Sequence, residues 1–313
     1  MILFIGPLAD SVAAHLMLLM QSREIEFLPL DPRTFGSEWD IAWWTEDGEV
    51  RGYVKLDDDS RVDLRDVCAV WAHMIAIPQR PEDEGAQIDQ AAYACAIALA
   101  AFSDCFPGLV YSRPATAASN GVKPYQAQII AEHGFEPIRT LITNRPEEAR
   151  RFCESLNGEV IFKSISGIRS IVRRIAEEDF ERMELLPNCP TQFQEFIPGT
   201  DIRVHAAGDR LLATEIGCST DDYRYVPADM ERVMRAISLP AKIAEQCRSL
   251  MKAMDMSIGG IDLRRAPDGR YYCFEVNPNP GFIFYEQYTG QRIGDAFLDM
   301  AIDDLGTLSG AAG

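Results

Sequence analysis

The feature that most constrains the fold is a strand–turn–strand pattern over residues 258–281. Two β-favouring runs flank the turn formers Ala266-Pro267-Asp268-Gly269, a pattern that predicts a hairpin. Asp262 lies on the first strand, and Glu275 and Asn277 lie on the second. Because side chains two residues apart point to the same face of a strand, Glu275 and Asn277 project together, and Asp262 can meet them across the ladder.

These three side chains offer two carboxylates and one amide. All-oxygen ligand sets suit a hard ion such as Mg²⁺, which usually takes its remaining ligands from water and nucleotide phosphates. The same alternation fits a surface hairpin with outward polar residues. The apolar neighbours on the second strand favour a packed strand; they are Tyr271, Tyr272, Phe274 and Val276. Spacing alone leaves both the metal site and the surface hairpin open.

Composition excludes several classes of protein. The chain has 313 residues, of which 47% are hydrophobic and 25% charged, as in an ordinary soluble globular protein. Its formal net charge is −18, so binding to nucleic acid or to an anionic membrane surface is not expected. The longest apolar run, Ala91–Phe102, is too short to cross a bilayer, and the N-terminus lacks the basic flank of a signal peptide.

The eight cysteines and four histidines are scattered, with no Cys-x-x-Cys pair. Neither a zinc site nor a disulfide framework is therefore expected, and the sequence predicts a reduced, cytoplasmic protein.

Apolar periodicity and turn residues divide the chain into three regions. Residues 1–113 open with a strand at 2–5 and a helix for which Ser11 is the expected N-cap. Residues 114–190 contain a helix from Lys123, and a second helix that Asn144 is expected to cap. Residues 191–313 are rich in β-strand patterns up to the hairpin.

A second candidate for chemistry is Lys163, which ends a predicted strand before a small turn that contains Ser166 and Gly167. An ammonium group beside such backbone N–H groups can bind phosphate oxygens. The segment does not fit the Walker A pattern, and no GxGxxG occurs, so the P-loop and Rossmann interpretations fail. A solvated lysine is the simpler interpretation of Lys163, and also of Lys123.

A third candidate is the extended segment Gln194-Glu195-Phe196-Ile197, which a Pro-Gly turn separates from Asp201. Backbone amides along such a segment could pair with the edge of an adenine ring, and Asp201 could accept hydrogen bonds from ribose hydroxyls. Many strand–turn–strand units share this pattern.

Taken in order, these pieces resemble the ATP-grasp carboxylate–amine ligases from Pro114 onward, and Glu-Val-Asn-Pro-Asn-Pro-Gly at 275–281 is the most specific match. The resemblance implies an α+β fold in which two α+β subdomains, 114–190 and 191–313, hold ATP between them. A small α/β domain, 1–113, precedes them. The resemblance also implies ATP and Mg²⁺ as cofactors. It implies that Lys123 and Lys163, with the turn of Ser166 and Gly167, hold the phosphates, and that Asp262, Glu275 and Asn277 bind Mg²⁺. Adenine would meet the backbone of Glu195 and Ile197, in the segment with Gln194 and Phe196, and Asp201 would hold the ribose.

Within this family, the DIRV stretch at 201–204 is similar to RimK-type glutamate ligases and to the macrocyclases of microviridin-type (graspetide) peptides. The segment DLRDVCAVWAHM loosely matches those macrocyclases, but Trp71-Ala72-His73 departs from the Trp-Tyr-Arg of many relatives. The resemblance implies an amino-acid or peptide substrate that brings a carboxylate and an amine or hydroxyl, and a homodimer is compatible with it.

The reaction implied has two steps. A carboxylate attacks the γ-phosphate of ATP to give an acylphosphate, and an amine or hydroxyl then displaces phosphate through an oxyanion. Arginines suit both species because they are permanently charged and bidentate, and the candidates are Arg203, Arg224 and Arg264. For each, a salt bridge with one of the many acids is the alternative. Two other functions stay open: a nucleotide-binding regulatory or partner-binding protein without ligase activity, and an ATP-dependent phosphotransferase.

Overall fold

The structure, a computed structural model, describes residues 1–73, 90–165, 172–217 and 233–311. The first region builds a parallel sheet of strand order β2-β1-β6-β7, beside an antiparallel sheet of order β3-β4-β5. Residues of β1 and β6 are buried throughout, as expected for parallel strands covered on both faces. The elements are β1 (Ile2–Ile5), α1 (Ser11–Ser22), β2 (Phe27–Leu30), β3 (Trp39–Glu46), β4 (Glu49–Leu56), β5 (Arg61–Asp63), β6 (Ala69–Ala72), α2 (Gln90–Cys105) and β7 (Leu109–Tyr111).

The N-cap predictions are wrong by one residue in both helices. Asp10, not Ser11, caps α1, because its carboxylate accepts hydrogen bonds from the N–H groups of Val12 and Ala13. The helix that begins at Pro146 has Arg145 at the cap position, without a side-chain hydrogen bond, and Asn144 lies outside it.

The second region forms an antiparallel sheet of order β10-β9-β11-β8. Its elements are α3 (Pro114–Gly121), α4 (Lys123–Glu132), β8 (Thr140–Thr143), α5 (Pro146–Ser155), β9 (Val160–Ser164), β10 (Arg173–Arg174), α6 (Asp179–Arg182) and a 3₁₀ turn (Met183–Asn188), and the sheet is completed by β11 (Thr191–Glu195). The boundary predicted at residue 191 assigns β11 to the third region, whereas this strand pairs with β8 and β9 of the second. The strand pairs here because Phe193 packs with Phe162 in the core of this sheet.

The third region is an antiparallel sheet of order β14-β13-β12-β15-β16. Its elements are β12 (Thr200–Ala207), β13 (Arg210–Gly217), β14 (Val233–Ile237), α7 (Ala241–Ala253), β15 (Ile258–Arg265), β16 (Tyr271–Asn277), α8 (Ile283–Thr289) and α9 (Ile293–Ala311). Helix α4 of the second region packs on β16 and α7, so this sheet is covered partly by residues that precede it in the chain. Helix α9 packs on α1, which joins the first and third regions through one hydrophobic core.

Within the described ranges, no helix is long and apolar enough to cross a membrane. Seven of the eight cysteines fall in those ranges, and all seven are free thiols.

Candidate active site

The site is built on one face of β12, β15 and β16. Residues opposite each other in an antiparallel ladder share a face, and three of the pairs between β12 and β15 lie on this one: Asp201 with Arg264, Arg203 with Asp262, and His205 with Gly260. The alternate residues of β12 (Ile202, Val204 and Ala206) turn to the opposite face and are buried in the hydrophobic core. The period of two therefore separates a charged face from an apolar one.

A bulge in the hairpin sets which residue meets Asp262. Near the turn, Leu263 pairs with Cys273, and the same register would bring Phe274 opposite Asp262. The register shifts by one residue between Asp262 and Leu263, so Glu275 lies opposite Asp262 and Asn277 lies opposite Gly260. The bulge thus puts both predicted metal ligands of β16 on the charged face.

The three predicted metal ligands converge. The Asn277 side-chain nitrogen lies 3.3 Å from Asp262 Oδ2 and 3.3 Å from Glu275 Oε1. Among the described residues no group of three or more His, Cys, Asp and Glu side chains could hold a metal, and this cluster has only two carboxylates. Its donor set nevertheless fits Mg²⁺, because rotating the amide brings a third oxygen toward the two carboxylates.

Arg203 lies beside this cluster and balances part of its negative charge. The guanidinium is buried, and its Nη1 donates to Asp262 Oδ1 at 2.7 Å. Gly260 makes room for it, since a Cβ there would lie 2.1 Å from Arg203 Nη2 and 2.7 Å from Pro280 Cβ. Gly260 was not among the predicted site residues, although a glycine inside a strand is a signal of close approach.

A second residue that the sequence did not reveal is Gln126, which is buried on α4. Its amide forms two hydrogen bonds of 2.9 Å with the backbone of Val276, donating to the carbonyl and accepting from the N–H. Strand β16 is an edge strand, so these backbone groups would otherwise lack a strand partner. Gln126 therefore fixes the residue between Glu275 and Asn277.

Lys163 is buried on the central sheet, where it lies opposite Gln192. Gln192 and Gln194 share its face, and each has a buried side-chain oxygen without a hydrogen-bond partner in the structure. Phe162 and Phe193 occupy the opposite face, in the core. A buried lysine beside unsatisfied polar oxygens is consistent with a face that binds a polar ligand.

The segment that follows β11 is held on both sides. The backbone N–H of Glu195 donates to the carbonyl oxygen of Arg139, and that of Phe196 donates to the carbonyl oxygen of Glu159. The Phe196 ring lies under the Arg174 guanidinium, 3.8 Å from its Cζ. Ile197 is buried, and its carbonyl accepts a hydrogen bond from Arg264, so its N–H is the backbone group it can offer to an adenine ring.

Arg264 joins this segment to Asp201. Its Nε and Nη2 donate to the two Asp201 oxygens at 2.7 and 2.9 Å, and its Nη1 donates to the Ile197 carbonyl at 2.9 Å. Gly199 lies between them with φ +153°, and a Cβ there would lie 2.3 Å from the Arg265 carbonyl oxygen. The salt bridge, which was the alternative interpretation of each arginine, is present in the structure for both Arg264 and Arg203.

Four predicted site residues remain. Lys123 is the first residue of α4 and is partly exposed. Ser166, Gly167 and Arg224 lie outside the described residues.

His205 is a further residue of the charged face, and it is completely buried. Its Nε2 lies 3.2 Å from the Gly281 carbonyl oxygen, so the neutral ring carries its proton there, and its edge packs against Tyr285 with ring centroids 4.8 Å apart. Burial lowers the pKa of His205 to about 3, and the positive charge of Arg203 acts in the same direction.

This pKa predicts a pH-dependent stability. The unfolded chain binds a proton at His205 below pH ~6.5 and the folded chain does not, so stability is lost as the pH falls from that value, by at most about 1.4 kcal/mol per pH unit. His205→Gln removes the titrating group. We expect the difference in unfolding free energy between wild type and this variant to change by up to about 2 kcal/mol between pH 7 and 5, as measured by urea unfolding. Parallel pH profiles would contradict this.

Most of the candidate site lies in a part of the chain that is similar to known proteins. The RimK-like ATP-grasp domain model matches residues 119–301. Beta-citrylglutamate synthase B of Danio rerio is 25% identical over 188 residues, which are 57% of this chain and 46% of the relative. A probable alpha-L-glutamate ligase of Histophilus somni (strain 2336) is 26% identical over 175 residues, which are 52% of this chain and 57% of the relative. The chain thus spans about half the length of these relatives.

Two experimental structures share the fold over nearly the whole chain. ATP-grasp ligase PsnB, complexed with a phosphomimetic variant of its minimal precursor, Mg and ADP, has a TM-score of 0.81 at 24% identity, covering 97% of this chain and 98% of that one. Macrocyclase MdnC of Microcystis aeruginosa MRC, bound with precursor peptide MdnA, has a TM-score of 0.78 at 21% identity, covering 96% and 99%. These likenesses confirm the predicted α+β ATP-grasp fold. Since the family model covers more than half of its residues, the chain belongs to the RimK-like ATP-grasp family.

Proposed function

We propose that this chain is an ATP- and Mg²⁺-dependent ligase. It activates a carboxylate as an acylphosphate and joins it to an amine or hydroxyl of an amino acid or peptide, with release of ADP and phosphate. The observation that carries the proposal is the convergence of Asp262, Glu275 and Asn277 beside the buried Arg203, on a chain of the RimK-like family.

Mg²⁺ would be held by Asp262, Glu275 and Asn277, and when bound it would supply positive charge to the phosphate oxygens of ATP. Asp262 and Glu275 lie directly opposite each other, and like charges opposed in a ladder repel. A bound cation removes that repulsion. The family resemblance and this charge arrangement support the same assignment independently.

The nucleotide would lie between the central sheet and the charged face. Lys163, with Lys123 and the turn of Ser166 and Gly167, would bind its phosphates. The backbone of Glu195 and Ile197, flanked by Gln194 and Phe196, would meet adenine, and Asp201 would hold the ribose. Both oxygens of Asp201 already accept hydrogen bonds from Arg264, so ribose hydroxyls would share them.

The three predicted catalytic arginines receive different roles. Arg203 adjoins the metal cluster, and we assign it to the acylphosphate and the oxyanion, where a permanent charge has the largest effect. Arg224 is proposed for the same substrate on sequence grounds. Arg264 would have to leave Asp201 to reach the reacting groups, so we assign it to positioning the adenine-binding segment.

The substrate class is proposed from the similarity of this chain to the relatives and structural neighbours described above. Two relatives are named as glutamate ligases or synthases, and two structural neighbours are complexed with precursor peptides. A carboxylate of an amino acid or peptide is the group common to both. The deciding experiment measures ADP and phosphate release from Mg²⁺-ATP with pools of amino acids, dipeptides and acidic peptides, followed by mass spectrometry of the product.

The expected result is ADP release that depends on one pool, with a product lighter by one water (about 18 Da) per bond formed than the sum of the substrates joined. A product that retains phosphate would instead indicate a phosphotransferase. ATP binding without turnover on any pool would support the non-catalytic alternative and contradict the ligase.

A further inference from the structure

The loop after β16 runs directly over the charged face of the sheet. It begins after Asn277, and His205 bonds its Gly281 carbonyl from below. Pro280, in the middle of this loop, and the Arg203 guanidinium both lie within 3 Å of the position that a Gly260 Cβ would occupy, at 2.7 and 2.1 Å. The loop and the guanidinium are therefore packed against each other in the space that Gly260 leaves open.

The choice of histidine at this position needs a reason. With the proton on Nε2, Nδ1 is an acceptor, and this atom is buried without a hydrogen-bond partner in the structure. A buried polar atom without a partner is costly, and an apolar side chain would fill the same space without that cost. The feature that only a donor side chain supplies is the hydrogen bond to Gly281.

Two further contacts make this bond a rigid support. The His205 ring is braced by Tyr285, the first buried residue of α8, and the chain between Gly281 and α8 is buried at Phe282. On the other side, Arg203 is held by Asp262. The guanidinium is thus confined between a metal ligand and a loop that His205 fixes in place.

We propose that His205 is a positioning residue, which holds the Arg203 guanidinium at the reacting carboxylate by anchoring the 278–281 loop. The proposal rests on the ligase function proposed above and deepens it. Because Arg203 acts on charge that develops during the reaction, its misplacement lowers kcat more than it raises the KM for ATP.

His205→Leu tests this directly, since it keeps the apolar volume and removes the hydrogen bond. We expect kcat to fall about 10-fold or more, with the KM for ATP within about 3-fold of wild type. His205→Gln is the matched variant, because its side-chain N–H can still donate to Gly281, and it is expected to restore most of the activity. If His205→Leu does not fold, it is replaced by His205→Asn, whose side-chain amide is one bond too short to reach the Gly281 carbonyl.

A double-mutant cycle separates positioning from a general structural role. If His205 acts through Arg203, adding His205→Leu to Arg203→Lys causes little further loss, whereas independent roles give losses that multiply. Multiplying losses, an unchanged kcat in His205→Leu, or no rescue by His205→Gln would each overturn the proposal.

A readout without turnover keeps this proposal separate from the ligase assignment. In protein with ¹⁵N-labelled arginine, the Arg203 Nε–H resonance, identified with Arg203→Lys, is expected to be sharp in wild type and His205→Gln and broadened in His205→Leu. An unchanged signal in His205→Leu overturns the positioning role, whatever substrate the enzyme takes. A broadened signal in a chain that shows no ligase turnover would support the positioning and contradict the proposed function alone.

Discussion

Replacing Glu275 with glutamine is expected to lower kcat by about 100-fold or more, because even residues that only support metal ligands typically contribute 10–100-fold. The substitution preserves size and hydrogen bonding and removes one charge. It also removes the repulsion between Glu275 and the opposed Asp262, so we expect the variant to fold. Loss of activity is therefore expected without loss of fold.

A steady-state assay measures kcat, and thermal unfolding with and without Mg²⁺-ADP measures the stability of the fold and the binding of the ligand. Wild type should gain stability from the ligand, in proportion to the logarithm of its concentration, and Glu275→Gln should gain much less. Glu245→Gln is the matched control, since Glu245 is an exposed acid on α7 that forms a salt bridge with Arg248 on the same helix. Equal stabilisation of Glu275→Gln and wild type by Mg²⁺-ADP would remove Glu275 from the metal site.

Replacing Gln126 with leucine is expected to cost about 2–5 kcal/mol of unfolding free energy. The substitution leaves the N–H and the carbonyl of Val276 buried without partners, and each such group costs about 1–3 kcal/mol. Because Val276 lies between Glu275 and Asn277, the variant should also bind Mg²⁺-ADP more weakly at a temperature where it is still folded.

Urea unfolding measures the first effect and calorimetric titration the second. Gln128→Leu is the control, because Gln128 lies on the same helix, α4, and is exposed. A loss below about 1 kcal/mol for Gln126→Leu would show that water satisfies the Val276 backbone equally well. A stability loss with unchanged Mg²⁺-ADP affinity would show that Gln126 supports the fold without positioning the ligands.

Several local features could be predicted because they depend on neighbours in the sequence. The hairpin around Ala266–Gly269, strand β1 and the start of α4 follow from turn chemistry and apolar periodicity, and the structure contains all three. The N-cap of α1 was missed by one residue, because Asp10 and Ser11 are both capping residue types and loop geometry decides which of them caps. At α5 the helix simply begins one residue later than predicted, after Arg145, which makes no capping hydrogen bond.

The order of the candidate site residues along the chain could also be interpreted from the sequence. The period of two placed Glu275 and Asn277 on one face, and the order of motifs from Lys123 to Asn277 carried the family resemblance that the domain match confirms. Of the proposed metal ligands, Glu275 and Asn277 were accessible in this way because their spacing is set within a single strand.

What the sequence could not supply depends on pairing between distant segments. A one-residue bulge decides that Glu275, not Phe274, lies opposite Asp262, and nothing within the hairpin sequence marks it. The ladder between β12 and β15 decides that Arg264 binds Asp201, that Arg203 binds Asp262 and that His205 lies over Gly260. Gln126 reaches Val276 across 150 residues.

The physical reason is the same in each case. Local propensity and periodicity are properties of a few consecutive residues, and they set the type of each element and the face to which a side chain turns. Register, bulges and edge partners depend on which segments fold against each other and on which buried polar groups must then be satisfied. The sequence by itself determined which residues we propose for the chemistry, and the tertiary structure decided which of them hold one another in place.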